Sequence, residues 1–109
     1  MGSAYAMDES DTAAVVVADS GSVLMTVNGY GENGGGAIGS PVLHFFDQNT
    51  TSGATAGAAL FTLVIGDYTG SPGAASMGAF TFSDLRFIKG LTVLLVPNGN
   101  TVSLVIEHD

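Results

Sequence analysis

The run Leu91-Thr92-Val93-Leu94-Leu95-Val96-Pro97-Asn98-Gly99-Asn100-Thr101-Val102-Ser103-Leu104-Val105-Ile106 sets two β-branched and aliphatic segments on either side of Pro-Asn-Gly-Asn. Asn-Gly between apolar segments is the strongest short-range hairpin signal, because both central residues of a type I′ turn need positive φ. With Asn98 and Gly99 as the loop, Val96 faces Thr101, Leu95 faces Val102, Val93 faces Leu104 and Leu91 faces Ile106. Side chains alternate along a strand, so Leu91, Val93, Leu95, Val102, Leu104 and Ile106 share one surface. Thr92, Leu94, Val96, Thr101, Ser103 and Val105 share the other, which is drier than a solvated face requires. The sequence therefore predicts a terminal hairpin with one face toward the core and a semi-apolar face toward a partner.

The segments upstream have the same character. Ala13–Ala18 is apolar, Asp19-Ser20-Gly21 reads as a turn, and Ser22–Asn28 alternates, so a first hairpin is expected here. Asn28–Ser40 is glycine-rich and reads as a surface loop; it lacks the Lys-Ser/Thr of a phosphate-binding loop. Strands follow at Pro41–Phe46 and Ala59–Ile65, separated by a polar loop. Met77–Phe87 changes face between Phe82 and Leu85, which predicts a bulge near Ser83-Asp84. About seven short strands with Gly-rich connections describe an all-β fold, a single β-sandwich or jelly-roll-like domain ending in a hairpin. Phe45, Phe61, Phe80, Phe82 and Phe87 are its expected aromatic core.

A length of 109 residues suits one domain. Residues 13–109 are assigned to the sandwich. Residues 1–12, which carry Asp8, Glu9 and Asp11 without periodicity, are expected to form a flexible arm. Those acids lack the spacing of a calcium-binding loop. The chain holds 10 acidic residues against 2 basic ones, Arg86 and Lys89, for a net charge of −8. Such a balance repels phosphate backbones and anionic lipid, so neither nucleic acid nor a membrane is an expected partner. The longest apolar run is too short for a membrane span and no secretory signal is visible, so a soluble, unanchored protein is expected. Cysteine is absent, which removes disulfides and thiolate metal sites.

Little in the chain supports catalysis. His44 lies in a strand and His108 near the end of the sequence, and no catalytic or metal-binding motif surrounds either. Asp47, Asp67, Asp84 and Glu32 are the other candidate carboxylates, with no spacing that pairs them. The reading is a non-enzyme without catalytic residues, metal or cofactor. Arg86 can pair with Asp84, with Asp67 or with an acid of another subunit. The interface candidates are accordingly Asp8, Glu9, Asp11, Arg86, Leu94, Val96 and Val105. An alternative binding surface is an aromatic platform for glycans built from Tyr30, Tyr68, Phe45 and Phe46, although the chain has no Trp.

One succession of residues carries a resemblance. Leu43-His44-Phe45-Phe46-Asp47 precedes a Thr/Gly-rich loop and Leu60-Phe61-Thr62-Leu63. Phe80-Thr81-Phe82, Leu85-Arg86-Phe87, Lys89-Gly90-Leu91-Thr92-Val93 and a terminal Asn100-Thr101-Val102-Ser103-Leu104-Val105 strand follow. Over roughly Ser40–Glu107 this resembles small all-β structural proteins of tailed bacteriophages, some of which are capsid decoration (cement) proteins and others head-fibre or tail pieces. The resemblance implies a virion structural protein on the capsid surface, with the major capsid protein and further copies of itself, as a homotrimer, for partners. It would bridge capsid subunits and stabilise the shell, with residues 1–12 as a strap. A glycan- or host-recognition module, or a piece of a head fibre or tail assembly, is the alternative.

Overall fold

A computed structural model describes residues 2–65 and 75–109. Among the described residues eight strands run β1 (Ser3–Asp8), β2 (Val15–Ala18), β3 (Ser22–Asn33), β4 (Val42–Asp47), β5 (Phe61–Val64), β6 (Ala75–Phe87), β7 (Leu91–Val96) and β8 (Asn100–His108). They form two four-stranded sheets, ordered β1-β8-β3-β6 and β2-β7-β4-β5. All the pairings are antiparallel. The pairs β1·β8, β2·β7, β3·β6 and β4·β5 trace one long ribbon doubled back at the β4–β5 connection and rolled into two layers. That is the strand order of a jelly roll, so the all-β sandwich expected from the sequence is the observed fold.

The terminal hairpin is not observed. β7 belongs to the second sheet and β8 to the first, so the two strands do not pair. The six residues assigned to one apolar face are nevertheless all buried: Leu91, Val93 and Ile106 at 0% exposure, Leu95, Val102 and Leu104 at 1%. They join Leu24, Val27, Leu43, Phe45, Ile65 and Phe87 in the core between the layers. The reason is geometric. Six apolar side chains on one face of a hairpin need a second layer over them, whereas two strands in separate sheets let one row cover the other. The turn itself has the predicted chemistry, with Asn98 at φ 54° and Gly99 at φ 82° and the Asn100 amide donating to Pro97 O at 3.2 Å. It serves as an arch between sheets. The loop before β4 holds it there: Ile38 N donates to Asn98 O at 2.9 Å, Asn98 Nδ2 to Ser40 O at 2.7 Å and Asn100 Nδ2 to Gly39 O at 2.9 Å. The glycine-rich stretch thus buttresses the arch, and a Cβ on Gly99 would lie 2.0 Å from Gly36 O.

The first expected hairpin is also split. β2 pairs with β7 and β3 with β6 and β8, so Asp19-Ser20-Gly21 crosses between layers. The segment expected as a flexible arm is largely β1, in register with β8 from Ser3↔His108 to Asp8↔Ser103, with Met7 3% exposed. Its short alternation of Tyr5 and Met7 against small residues meets the edge of β8, which fixes it by main-chain pairing that hydropathy does not display. The expected bulge is present: Leu24 pairs with Leu85 and Thr26 with Thr81, leaving Phe82–Asp84 opposite Met25, with Asp84 at φ 59°. It reverses parity within β6 without moving the strand to the other layer.

The aromatic core matches its expectation. Phe45 stacks on Phe61 with centroids 4.5 Å apart, and Phe87 lies 6.4 Å from Phe45. Phe61, Phe80 and Phe82 are partly buried against this cluster.

Candidate functional site

The two histidines are both accounted for structurally. His44 is 9% exposed and its Nδ1 lies 2.6 Å from Thr62 Oγ1 on the neighbouring strand. Burial lowers its pKa, holding the ring neutral. His108 Nδ1 lies 3.1 Å from Ser22 Oγ, a spacing that invites comparison with a nucleophile and its base. The Ser22 hydroxyl also lies 3.0 Å from Asp109 O, to which it can donate, so the contact ties the start of β3 to the end of β8.

The acidic candidates Asp8, Glu9 and Asp11 lie at the end of β1 and in the turn that follows it. Asp8 Oδ1 accepts from Ser10 N at 2.8 Å and from the Ser10 hydroxyl, bonds that lower its pKa. Asp11 Oδ2 accepts from Asp8 N at 2.9 Å, while Asp11 N donates to Asp8 O at 3.0 Å. These carboxylates organise their own turn. Among the described residues no group of three His, Asp, Glu or Cys side chains is placed to hold a metal ion. Arg86 pairs with Asp84 at 3.0 Å, one of the acids expected for it, and both side chains are mostly exposed. Such a pair contributes about 0–1 kcal/mol. Asp47 Oδ1 accepts from Lys89 N at 2.8 Å. Desolvation raises the Asp47 pKa, but the backbone donors of Lys89, Ile88 and Gly90 and the Lys89 charge outweigh it, for a net lowering.

The semi-apolar second surface is divided between the two outer faces of the sandwich. Leu94 and Val96 lie half-buried on the second sheet, beside Thr92, whose hydroxyl donates to Gln48 O at 2.7 Å. Val105 lies on the first sheet, on the opposite side of the molecule. The three therefore cannot form a single contact. The glycan platform is not assembled either. Phe45 is 0% and Phe46 2% exposed, because β4 is covered on both faces, and Tyr68 lies outside the described residues.

The structure brings together a different set on the outer face of the first sheet. Pairing aligns Ala6, Val105, Asn28 and Ala79 in one row across all four strands. Tyr30 and Ser103 lie in the next row, beside Asp8, and Thr26 with Glu107 in the row on the other side. Tyr30 is 44% and Val105 38% exposed. With Gly78 and Ala79 they border a shallow depression of about 270 Å³. The centre carries no charge, and Asp8, Glu32 and Glu107 stand around it; Thr26 Oγ1 ties Glu107 in place at 2.7 Å. An uncharged centre within a polar rim is the usual anatomy of a protein interface. Val105 and Tyr30 stand far apart in the sequence, and only the β3·β8 register joins them.

No family model and no curated protein matches the chain. Solved structures overlap it loosely, among them the following two. One, from Bacillus endospore appendages described as a novel family of disulfide-linked pili, is 18% identical with a TM-score of 0.43, covering 99% of this chain and 85% of that one. The other, a cyanophage Pam1 capsid asymmetric unit, is 13% identical with a TM-score of 0.39, covering 99% and 82%. Overlaps this loose carry no argument about what the chain does. Among the described residues no helix is long and apolar enough to cross a membrane.

Proposed function

We propose that the protein is a non-enzymatic structural subunit, a capsid decoration protein that docks on a phage head as a homo-oligomer and stabilises the shell by bridging capsid subunits. The observation that carries this reading is the outer face of the first sheet, with an uncharged centre around Tyr30 and Val105 and acids at its rim. Such a face suits a broad, pre-formed protein surface whose own rim is basic. The jelly-roll frame supports it by holding the face rigid on four paired strands. The phage-protein resemblance of Ser40–Glu107 supplies the identity of the partner, the major capsid protein. Stabilisation follows by mass action, since a ligand that binds only the assembled shell raises the free energy needed to separate its subunits.

Val105→Asp places a charge at the centre of the face without touching the core. In co-sedimentation with expanded heads of the phage that carries the chain, occupancy of this variant is expected to fall at least tenfold, with its far-UV spectrum unchanged. Undiminished occupancy would remove the face from the docking surface. The depression beside Tyr30 favours one second reading, a glycan-recognition module; saturable quenching of tyrosine fluorescence by a glycan, abolished in Tyr30→Ala, would select it.

A further inference from the structure

We propose that β1 is a self-complementary edge through which two copies of the chain pair antiparallel about a two-fold axis, making the first sheet continuous across the dimer. The inference does not rest on the capsid reading. An edge strand offers a row of unpaired N–H and C=O groups, and folded proteins commonly blunt it with a bulge, a charge, a proline or a short length. Among the described residues, three of the four sheet edges have such a device. β2 and β5 are four residues long, and β2 has a register shift between Val16 and Ala18. β6 is broken by the bulge opposite Met25 and carries the exposed Asp84–Arg86 pair. β1, by contrast, keeps unbroken register over six residues with no lysine or proline, and its one charge, Asp8, stands at its end.

The main-chain direction can be read from Asp8. Its N–H and C=O both bond to Asp11, away from β8. Groups of alternate residues point the same way along a strand, so those of Ala6 and Ala4 also face outward, while Ser3, Tyr5 and Met7 bond toward β8. No described residue of the chain takes up the outward groups of Ala4 and Ala6.

This spacing selects one register. Pairing Ala4 with Ala6 of a second copy, and Ala6 with its Ala4, forms four main-chain hydrogen bonds and sets Tyr5 opposite Tyr5. It also keeps outer side chains with outer and inner with inner. A shift that sets Ala6 opposite Ala6 brings in Asp8, whose groups are taken, and one that sets Ala4 opposite Ala4 needs Gly2, which lies outside β1. The side chains raised on the joined outer face are alanines, which clear one another. Charge agrees with the antiparallel sense. The acidic turn at Asp8, Glu9 and Asp11 then lies against the residue 2 end of the other copy, whereas a parallel pairing would stack the two acidic turns.

Sedimentation of the full chain over a hundredfold concentration range tests the proposal, together with amide hydrogen exchange at both ends of that range. A monomer–dimer equilibrium is expected, with the Ala4 and Ala6 amides protected only at high concentration and those of Tyr5 and Met7 protected throughout. Ala6→Pro removes an outward N–H without disturbing a bond to β8 and should weaken the dimer at least tenfold. Should that variant not fold, the exchange pattern of the unmodified chain still decides. A monomer at all concentrations overturns the proposal. So does a trimer, which an isologous edge cannot close, or a dimer in which the Ala4 and Ala6 amides exchange freely.

Discussion

Replacing Gly29 by alanine should destabilise the fold through one contact between the layers. Gly29 lies mid-strand in β3, and a Cβ there would stand 2.4 Å from Ile65 Cγ2, against 3.7 Å from Leu104 Cβ. Ile65 is fully buried, follows β5 directly, and donates its amide to Pro41 O at 2.9 Å. Its β-branched side chain has little freedom to turn away. Overpacking of this kind costs about 1–3 kcal/mol, while alanine in place of a mid-strand glycine returns roughly 0.5–1 kcal/mol. The net expectation for Gly29→Ala is a loss of about 0–2.5 kcal/mol. Ile65→Ala by itself should cost about 2–5 kcal/mol. In that background the new methyl enters the vacated space, so Gly29→Ala should change sign and stabilise by roughly 0.5–1 kcal/mol or more. Urea unfolding of the four proteins measures the cycle, with unchanged m-values as the check on the denatured state. Equal destabilisation by Gly29→Ala in both backgrounds would show that Ile65 is not the cause.

Gly99→Ala should cost about 2–5 kcal/mol, combining strain at positive φ with loss of the bonds that clamp the arch; Gly35→Ala, at φ 105° with open space around it, should cost only the strain, and equal values by chemical denaturation would refute the clamp. His44 has a lowered folded pKa, so its stabilising contribution is complete above the ordinary histidine value and is lost as pH falls through the folded value. Thermal unfolding across mildly acidic pH should show this decline in the wild type and a flatter profile in His44→Gln. Asp47, also lowered, contributes above the ordinary carboxylate value and loses that contribution in stronger acid, so Asp47→Asn should flatten the acid limb of the same profile. An unaltered limb would mean that other carboxylates dominate it.

The contrast between local and tertiary control is clearest at Asn98-Gly99. Positive φ at both residues was legible because few other residue pairs accept it, and the alternation on either side marked which side chains go inward. Whether the turn closes a hairpin or arches between layers was not legible, since the same dihedrals serve both. The bulge in β6 could be read because an odd insertion leaves a parity change in the apolar pattern. β1 left no such trace, because an edge strand with alanines outside is held by main-chain bonds that every sequence possesses. The candidate surface shows the same limit. Tyr30 and Val105 are 75 positions apart in the chain and meet only through the β3·β8 register.

Alternation and turn residues by themselves determined that this chain is all-β, that the inward rows of its last two strands and its phenylalanines enter the core, and where its bulge falls. These follow from the two-residue strand period and from the φ that each residue tolerates. The partner of each strand, the layer it joins and the side chains it raises together on an outer face were decided by tertiary structure. Two rows of apolar side chains gain most by covering each other across the sandwich, and that gain is invisible to any single strand.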